Sequence, residues 1–351
     1  MTQALSKRRI ISFSILFILF ILIGIGFLVP IPYYVMKPGS AMDVEPYVQV
    51  EVPQKDENGK FYLTTISLQE GSVIDYLIDR FSDQIELIPN EQLLAPGETD
   101  EEYEREQREN MEESQHFALI SAFQYTKQPI RVEKIGLEVF RILEGVRTGL
   151  QPRDLIQKVD NQAVTSVEGL SKILQGKQVG EKVPVTLVRK GKSITVEVPV
   201  IELPGKPNEP KRHGFGFTAF VKTSVTTTPK AKIQTENIGG PSAGLMFTLE
   251  TIDQLLPENL TNGYQVSGTG TIDDKGNVGQ IGGIQYKVMA ADRQGAHIFF
   301  TPKDIQPHDN NEKIAKETAK KIGTKMEIVP VANVQEAIEY LKKKPYYPAV
   351  S

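Results

Sequence analysis

The chain has 351 residues and contains no cysteine, which excludes several kinds of chemistry at once. Without thiols there is no cysteine nucleophile, no disulfide framework and no metal site built from thiolates. Histidine is scarce as well. The four histidines form no pair at the i, i+4 spacing that a zinc hydrolase places on one helix face. The sequence therefore predicts no metal site.

An excess of positive charge is also absent, and so is a phosphate-binding loop. The formal net charge is −4, so nothing in the overall charge indicates a nucleic-acid partner. A Gly-Lys-Ser sequence occurs at 191–193, but a phosphate loop requires glycine five residues before Gly191, where the chain has Thr186. We therefore expect no nucleic acid, no nucleotide and no cofactor.

One long hydrophobic run is present, because residues 10–29 carry no charge. Twenty helical residues span roughly 30 Å, the thickness of a bilayer core. A basic cluster at 7–9 precedes the run, and basic residues favour the cytoplasmic side of a membrane. This pattern predicts a cytoplasmic tail at 1–9, a transmembrane helix at 10–30, and later residues outside the cell membrane. The alternative is a cleaved signal peptide, but its apolar region is usually shorter, about 7–15 residues.

Residues 239–249 form a glycine turn that leads into an apolar helix. Gly239 and Gly240 allow a tight bend, and Pro241 suits the first turn of a helix because its missing N–H costs nothing there. Ser242 then lies near a helix N-terminus, where free N–H groups and the positive dipole end favour developing negative charge. Taken alone, the turn favours a structural serine that caps the helix over a nucleophile.

A second glycine turn at 279–283 leads into a helix that carries Lys287. This lysine is the only charged residue between Lys275 and Asp292. It is either an ordinary side chain that extends its amine to water or a buried base.

Together the two turns resemble the proteolytic domain of Lon-type serine proteases. The family's nucleophile motif matches Gly-Pro-Ser-Ala-Gly at 240–244, and its lysine motif matches Gly-Gly-Ile-Gln-Tyr-Lys at 282–287. The resemblance implies a catalytic Ser–Lys dyad of Ser242 and Lys287, which are 45 residues apart. It also implies that Thr269, which follows a strand between the motifs, orients the lysine.

A Ser–Lys dyad requires a lysine with a lowered pKa and N–H groups that stabilise an oxyanion. Neutral Lys287 would remove the proton from Ser242, which requires the lysine pKa to fall from about 10.4 to roughly 7–8. Burial in an apolar environment provides that shift. Backbone N–H groups around Ser242 and Ala243 are the candidates for an oxyanion hole, and the neighbouring Gly240 and Pro241 belong to the same backbone.

Residues 130–201 form a separate β-rich module whose order of strands, with one helix at 167–174, is similar to PDZ domains. PDZ domains bind an extended peptide as an added strand beside a helix. The resemblance places the peptide-binding residues at Lys134, Ile135, Gly136 and Leu137. This segment has only one glycine, so recognition of a terminal carboxylate stays open. A small β-rich spacer is the alternative.

The remaining segments are interpreted as parts of the same architecture. Residues 33–127 contain strand patterns and an acidic stretch at 96–116, which is either a charged linker or a helix. A capping box of Thr99 and Glu102 favours the helix. The sequence there is similar to an early helix of the Lon domain, in which case the PDZ-like module interrupts the peptidase domain. A Lon-like peptidase domain is expected at 205–345.

The predicted fold class is α+β, with a single N-terminal transmembrane helix, a PDZ-like module and a Lon-type peptidase domain. Nearly the whole chain resembles the membrane-anchored PDZ–Lon proteases of Gram-positive bacteria (SepM and YlbL type). The resemblance implies an ATP-independent, extracytoplasmic serine endopeptidase that cleaves secreted signalling peptides, unfolded proteins or membrane-tethered proteins. The alternative is a peptide-capturing adaptor with an inactive protease-like domain, and the intact Ser–Lys pair argues against it.

Overall fold

The computed structural model describes residues 2–51, 53, 59–203, 212–236 and 238–348. Within these ranges the side chains of residues 2–11, 22 and 23 are not described, so the side chains of the basic cluster at 7–9 lie outside the description. The chain divides into two compact units, which are a first unit of Met1–Gln128 and Pro229–Ser351 and an inserted unit of Pro129–Thr228. Helices and strands are mixed along the chain, and the predicted α+β class is confirmed.

The described residues form nine α-helices, which are α1 (Thr2–Leu28), α2 (Val73–Asp79), α3 (Asn90–Leu93), α4 (Asp100–Thr126), α5 (Val167–Leu174), α6 (Gly244–Leu255), α7 (Ile284–Gln294), α8 (Asn311–Ile322) and α9 (Val334–Lys342). The strands before and within the inserted unit are β1 (Pro30–Asp43), β2 (Val48–Val50), β3 (Lys60–Ser72), β4 (Glu86–Pro89), β5 (Ile130–Ile142), β6 (Leu155–Val159), β7 (Gln162–Ala163), β8 (Lys182–Arg189), β9 (Lys192–Pro199), β10 (Ile201–Leu203), β11 (Arg212–Gly214) and β12 (Phe217–Thr227). The strands after it are β13 (Ala231–Ile233), β14 (Gln265–Gly268), β15 (Thr271–Ile272), β16 (Val278–Gly279), β17 (Ile298–Pro302) and β18 (Glu327–Val331).

α1 is the helix that the sequence predicts to cross a membrane, and it ends at Leu28. Several of its described side chains are apolar and exposed, among them Phe13, Phe17 and Phe20. Among the residues whose side chains are described, no helix has both the length and the hydropathy of a membrane span. The anchor therefore stays a prediction.

A six-stranded mixed sheet organises the first unit, in the order β4-β1-β3-β14-β17-β18. The strands from β4 to β3 pair antiparallel, and those from β3 to β18 pair parallel. All residues of β17 are buried, as is typical of a parallel strand whose two faces are covered. Because β3 precedes the inserted unit and β14 follows it, this sheet joins the two segments of the first unit.

α4 is the helix predicted for the acidic stretch, and the alternative of a charged linker is wrong. The Thr99 hydroxyl accepts a hydrogen bond from the Glu102 amide, and the Glu102 carboxylate accepts one from the Thr99 amide, so the capping box is present. The second half of α4 buries Met111, Ala118 and Ala122. α4 also contacts α6, so it runs beside the turn that contains Ser242.

The inserted unit is built on a sheet with the order β12-β5-β6-β8-β9, to which β7 adds through β6. Its core is apolar and includes Leu137, Ile156 and Leu174, all fully buried. The structure corrects the peptidase boundary expected at 205, because β12 pairs with β5 along its whole length and so belongs to the inserted unit. The two ends of this unit are adjacent, since the Thr228 amide donates to the Pro129 carbonyl at 3.0 Å.

Candidate active site

The turn before α6 holds Ser242 in a partly exposed position, while α6 itself is almost entirely buried. Gly240 adopts φ +84°, a left-handed conformation that favours glycine. Its amide donates to the Gln107 carbonyl of α4 at 2.8 Å. The Ser114 hydroxyl of the same helix donates to the Pro241 carbonyl at 2.9 Å. α4 therefore fixes the turn at two successive residues.

The first turn of α7 places Lys287 against Ser242. α7 follows Gly283, which has φ +67°, and an added Cβ at this position would lie 2.9 Å from the Met36 sulfur. Lys287 is only 3% exposed. Its Nζ donates to the Ser242 Oγ at 3.0 Å and to the Thr64 carbonyl of β3 at 2.7 Å. Two side chains that are distant in sequence thus lie within hydrogen-bond distance.

Burial sets the protonation state of this lysine. It lowers the pKa of Lys287 from its ordinary value of 10.5 to about 7, because the ammonium loses its hydration. The value lies at the lower end of the range that a lysine base requires. At neutral pH a large fraction of Lys287 is therefore uncharged and able to accept a proton from Ser242.

Thr269 does not hold Lys287 in the way the family resemblance implies. Its hydroxyl donates to the Ser242 carbonyl at 2.9 Å, and its amide donates to the Phe300 carbonyl at 3.0 Å. The residue that accepts from Lys287 beside Ser242 is Thr64, through its backbone. Sequence reasoning missed Thr64 because any residue type can supply a backbone carbonyl.

The expected oxyanion backbone is only partly available. Pro241 has no N–H, and the Gly240 amide already donates to the Gln107 carbonyl. Within the described part of the chain, the amides of Ser242 and Ala243 have no acceptor. Of the expected residues, Ser242 and Ala243 therefore keep a free N–H group for a developing oxyanion, whereas Gly240 and Pro241 do not.

A cavity of about 1030 Å³ opens over these groups within the first unit. Ser242, Lys287 and Thr64 line it together with apolar side chains that include Met36 and Met42. The lining residues carry two charged side chains, Lys287 and Glu236. The cavity can accept an extended peptide segment with uncharged side chains.

The segment predicted to bind a peptide in the inserted unit lies inside β5. β12 already pairs with it, and the register joins Lys134 to Thr223, Gly136 to Lys222 and Leu137 to Val221. Leu137 is fully buried and also pairs with Ile156 of β6 on the other side. A Cβ on Gly136 would overlap the Ile156 carbonyl oxygen. At Leu137 no free strand edge remains for a peptide, and Lys134 and Ile135 are exposed.

Comparison with known proteins identifies two family matches. The family model of the Lon protease (S16) C-terminal proteolytic domain matches residues 228–343, which include Ser242, Thr269 and Lys287. The family model of the PDZ domain matches residues 138–200.

Individual relatives cover parts of the chain. The Lon protease of Mycoplasmopsis agalactiae is 27% identical over 196 residues, which is 55% of this chain and 18% of that protein. The Lon protease of Metamycoplasma arthritidis is 30% identical over 151 residues, which is 43% of this chain and 17% of that protein. A solved PDZ domain of an SdrC-like protein from Listeria innocua is 22% identical, with a TM-score of 0.22, and the match covers 24% of this chain and 92% of that one.

The chain spans less than a fifth of the length of these Lon proteases. The family match at 228–343 contains both the serine turn and the lysine helix, and it supports a serine peptidase. The chain contains a Lon protease C-terminal proteolytic domain and a PDZ domain.

Proposed function

We propose that the chain is an ATP-independent serine endopeptidase in which Ser242 is the nucleophile and Lys287 the general base. One observation carries the proposal. The buried Lys287 amine lies 3.0 Å from the Ser242 hydroxyl, and its pKa is lowered to about 7. A structural serine at a helix start would require no such partner.

The proposed reaction begins when neutral Lys287 accepts the proton of Ser242 and the Oγ attacks the carbonyl carbon of the substrate. The amides of Ser242 and Ala243 then stabilise the negative oxygen of the tetrahedral intermediate. Protonated Lys287 donates its proton to the leaving amine as the peptide bond breaks. Water, deprotonated in turn by Lys287, hydrolyses the resulting ester and releases the second product.

Two features support the proposed class of substrate. The cavity is open and carries few charges, which suits an extended segment with uncharged side chains rather than a folded surface. The phosphate-loop pattern is absent from these 351 residues, which supports hydrolysis without ATP-driven unfolding. We therefore propose secreted signalling peptides, unfolded proteins or membrane-tethered proteins as substrates.

We further propose that α1 anchors the chain in the cell membrane, with the peptidase outside, as in membrane-anchored PDZ–Lon proteases. The uncharged run at 10–29 and the exposed apolar side chains of α1 support this topology. Protease added to intact protoplasts should degrade residues beyond 30. Protection of these residues, or a mature form in the medium that begins near Met42, would contradict the anchor.

The activity is tested by incubating the wild type and Ser242→Ala with the secreted peptides of the source organism, followed by mass spectrometry. We expect new termini with the wild type alone. Equal capture of intact peptides by both proteins, without cleavage, would instead support a peptide-binding adaptor.

A further inference from the structure

Two buried hydroxyl groups hold the carbonyl oxygens on either side of the Ser242 amide. The Ser114 Oγ of α4 donates to the Pro241 carbonyl, and the Thr269 Oγ1 after β14 donates to the Ser242 carbonyl, each at 2.9 Å. Ser114 is 2% exposed and Thr269 is fully buried. Both hydroxyls therefore bind the nucleophile turn rather than solvent.

These two bonds determine where the neighbouring N–H groups point. A trans peptide unit is planar, and its C=O and N–H bonds point in opposite directions. The Pro241 carbonyl and the Ser242 amide belong to one such unit, and the Ser242 carbonyl and the Ala243 amide belong to the next. Fixing each carbonyl on one side of the turn therefore fixes an N–H group on the other side.

We propose that Ser114 and Thr269 are positioning residues that aim the Ser242 and Ala243 amides at the oxyanion of the transition state. The inference rests on the proposed peptidase function of Ser242. Both amides lack an acceptor within the described residues, as donors reserved for an oxyanion would. Gly244 provides the space for this arrangement, since a Cβ there would lie 2.9 Å from the Ser114 Oγ.

The two carbonyls differ in the hydrogen bond that each would keep if its hydroxyl partner were removed. The Pro241 carbonyl also accepts a long bond of 3.3 Å from the Gly244 amide. The Ser242 carbonyl also accepts a bond of 2.9 Å from the Gly270 amide. Loss of the Ser114 hydroxyl should therefore loosen the Pro241–Ser242 peptide unit strongly. Loss of the Thr269 hydroxyl should loosen the Ser242–Ala243 peptide unit less.

The test uses the full chain, a short uncharged peptide substrate and a peptide aldehyde whose adduct with Ser242 carries the oxyanion. Ser114→Cys keeps the size of the side chain but donates poorly. We expect kcat to fall roughly 10- to 100-fold, which is less than the loss caused by removing an oxyanion donor altogether. KM should stay within about twofold of the wild-type value. The aldehyde inhibition constant should rise in proportion to the loss of kcat/KM. Thr269→Val should lower kcat by a smaller factor.

The pH profile of kcat/KM distinguishes positioning of the oxyanion donors from orientation of Lys287. Both hydroxyls donate to carbonyls of the serine turn, and the hydrogen bonds of Lys287 go to Thr64 and the Ser242 Oγ. The midpoint of the rise in kcat/KM should therefore stay near 7 in both variants. A shifted midpoint in Thr269→Val would restore its role as the residue that orients the lysine and would overturn the inference for that position.

Ser121→Ala is the matched control, because Ser121 is another buried serine on α4, seven residues beyond Ser114. It should retain wild-type kcat, and a loss equal to that of Ser114→Cys would indicate general loosening of the helix. An active wild type with unchanged kcat in Ser114→Cys would overturn the inference while leaving the proposed function intact. An inactive wild type would instead overturn the function. If Ser114→Cys does not fold, an unchanged kcat and aldehyde affinity in Thr269→Val would refute the proposal.

Discussion

Burial gives Lys287 its proposed reactivity and also makes the residue unfavourable for folding. Its amine donates to one carbonyl and one hydroxyl, and desolvation is the one cause of its lowered pKa. The unfolded chain, in contrast, hydrates the ammonium fully. The unfolded state binds the proton more tightly, so the contribution of Lys287 to the free energy of unfolding decreases as the pH falls from 10.5 towards 7. Below pH 7 this destabilising contribution is constant.

Replacement of Lys287 by methionine removes this titration, which makes the first prediction. The difference in unfolding free energy between Lys287→Met and the wild type should shift in favour of the variant by about 3 kcal/mol between pH 9.5 and pH 7. Urea denaturation at several pH values measures it. A difference that does not change with pH would mean that the lysine is not desolvated in the folded state.

At the scale of residues, the sequence identified functional side chains, because the residue type determines the chemistry of a side chain. Ser242 and Lys287 were predicted as a pair because their two turns together resemble the Lon-type motifs, and the structure brings the two side chains within 3.0 Å. The Thr64 carbonyl was not predicted, because it is a backbone group. For Thr269 the resemblance implied a bond to Lys287, whereas its hydroxyl donates to the Ser242 carbonyl. Sequence shows that a hydroxyl is near the site but not which atom accepts its proton.

At the scale of elements, two glycines in the left-handed conformation bound α7. Gly283 has φ +67° at its start, and Gly295 has φ +80° at its end. An added Cβ on Gly283 would meet Met36 and Ile66, whereas nothing lies within 4 Å of one on Gly295. The start of α7 is therefore tightly packed against β1 and β3, and its end is open.

This contrast provides a matched pair of substitutions for the second prediction. Both Gly283→Ala and Gly295→Ala should lose stability, on the order of 1–2 kcal/mol, because alanine is strained at positive φ. Only Gly283→Ala should also lower kcat, since the displaced first turn carries Lys287. Thermal denaturation and peptide hydrolysis measure the two effects. Equal kcat values in the two variants would show that the start of α7 does not position the lysine.

At the scale of the whole molecule, the site depends on pairing between distant segments. Thr64 and Lys287 are 223 residues apart and belong to the two segments of the first unit. The sequence indicated an interrupted peptidase domain only through a short similarity in α4. It could not reveal the pairing of β3 with β14 or of β12 with β5, because long-range register leaves no local pattern.

The third prediction concerns this discontinuity. All residues of the proposed mechanism lie in the first unit, and the ends of the inserted unit are adjacent. A chain with residues 129–228 replaced by a short Gly-Ser linker should fold and cleave a short uncharged peptide at a rate within about tenfold of the wild type. Its kcat/KM for a natural protein substrate should decrease more strongly. Equal losses on both substrates would show that the inserted unit does not select substrates.

The most direct test of the account is the pH dependence of kcat/KM for a short peptide, because this quantity reports the essential base of the free enzyme. The lowered pKa of Lys287 predicts a rise with a midpoint near pH 7 and a level region by pH 8–9, since the deprotonated amine is the active form. Lys287→Arg should be inactive at every pH, because a guanidinium does not release its proton. A flat profile between pH 6 and 9, or more than a few per cent of activity in Lys287→Arg, would contradict the role of Lys287 as the base.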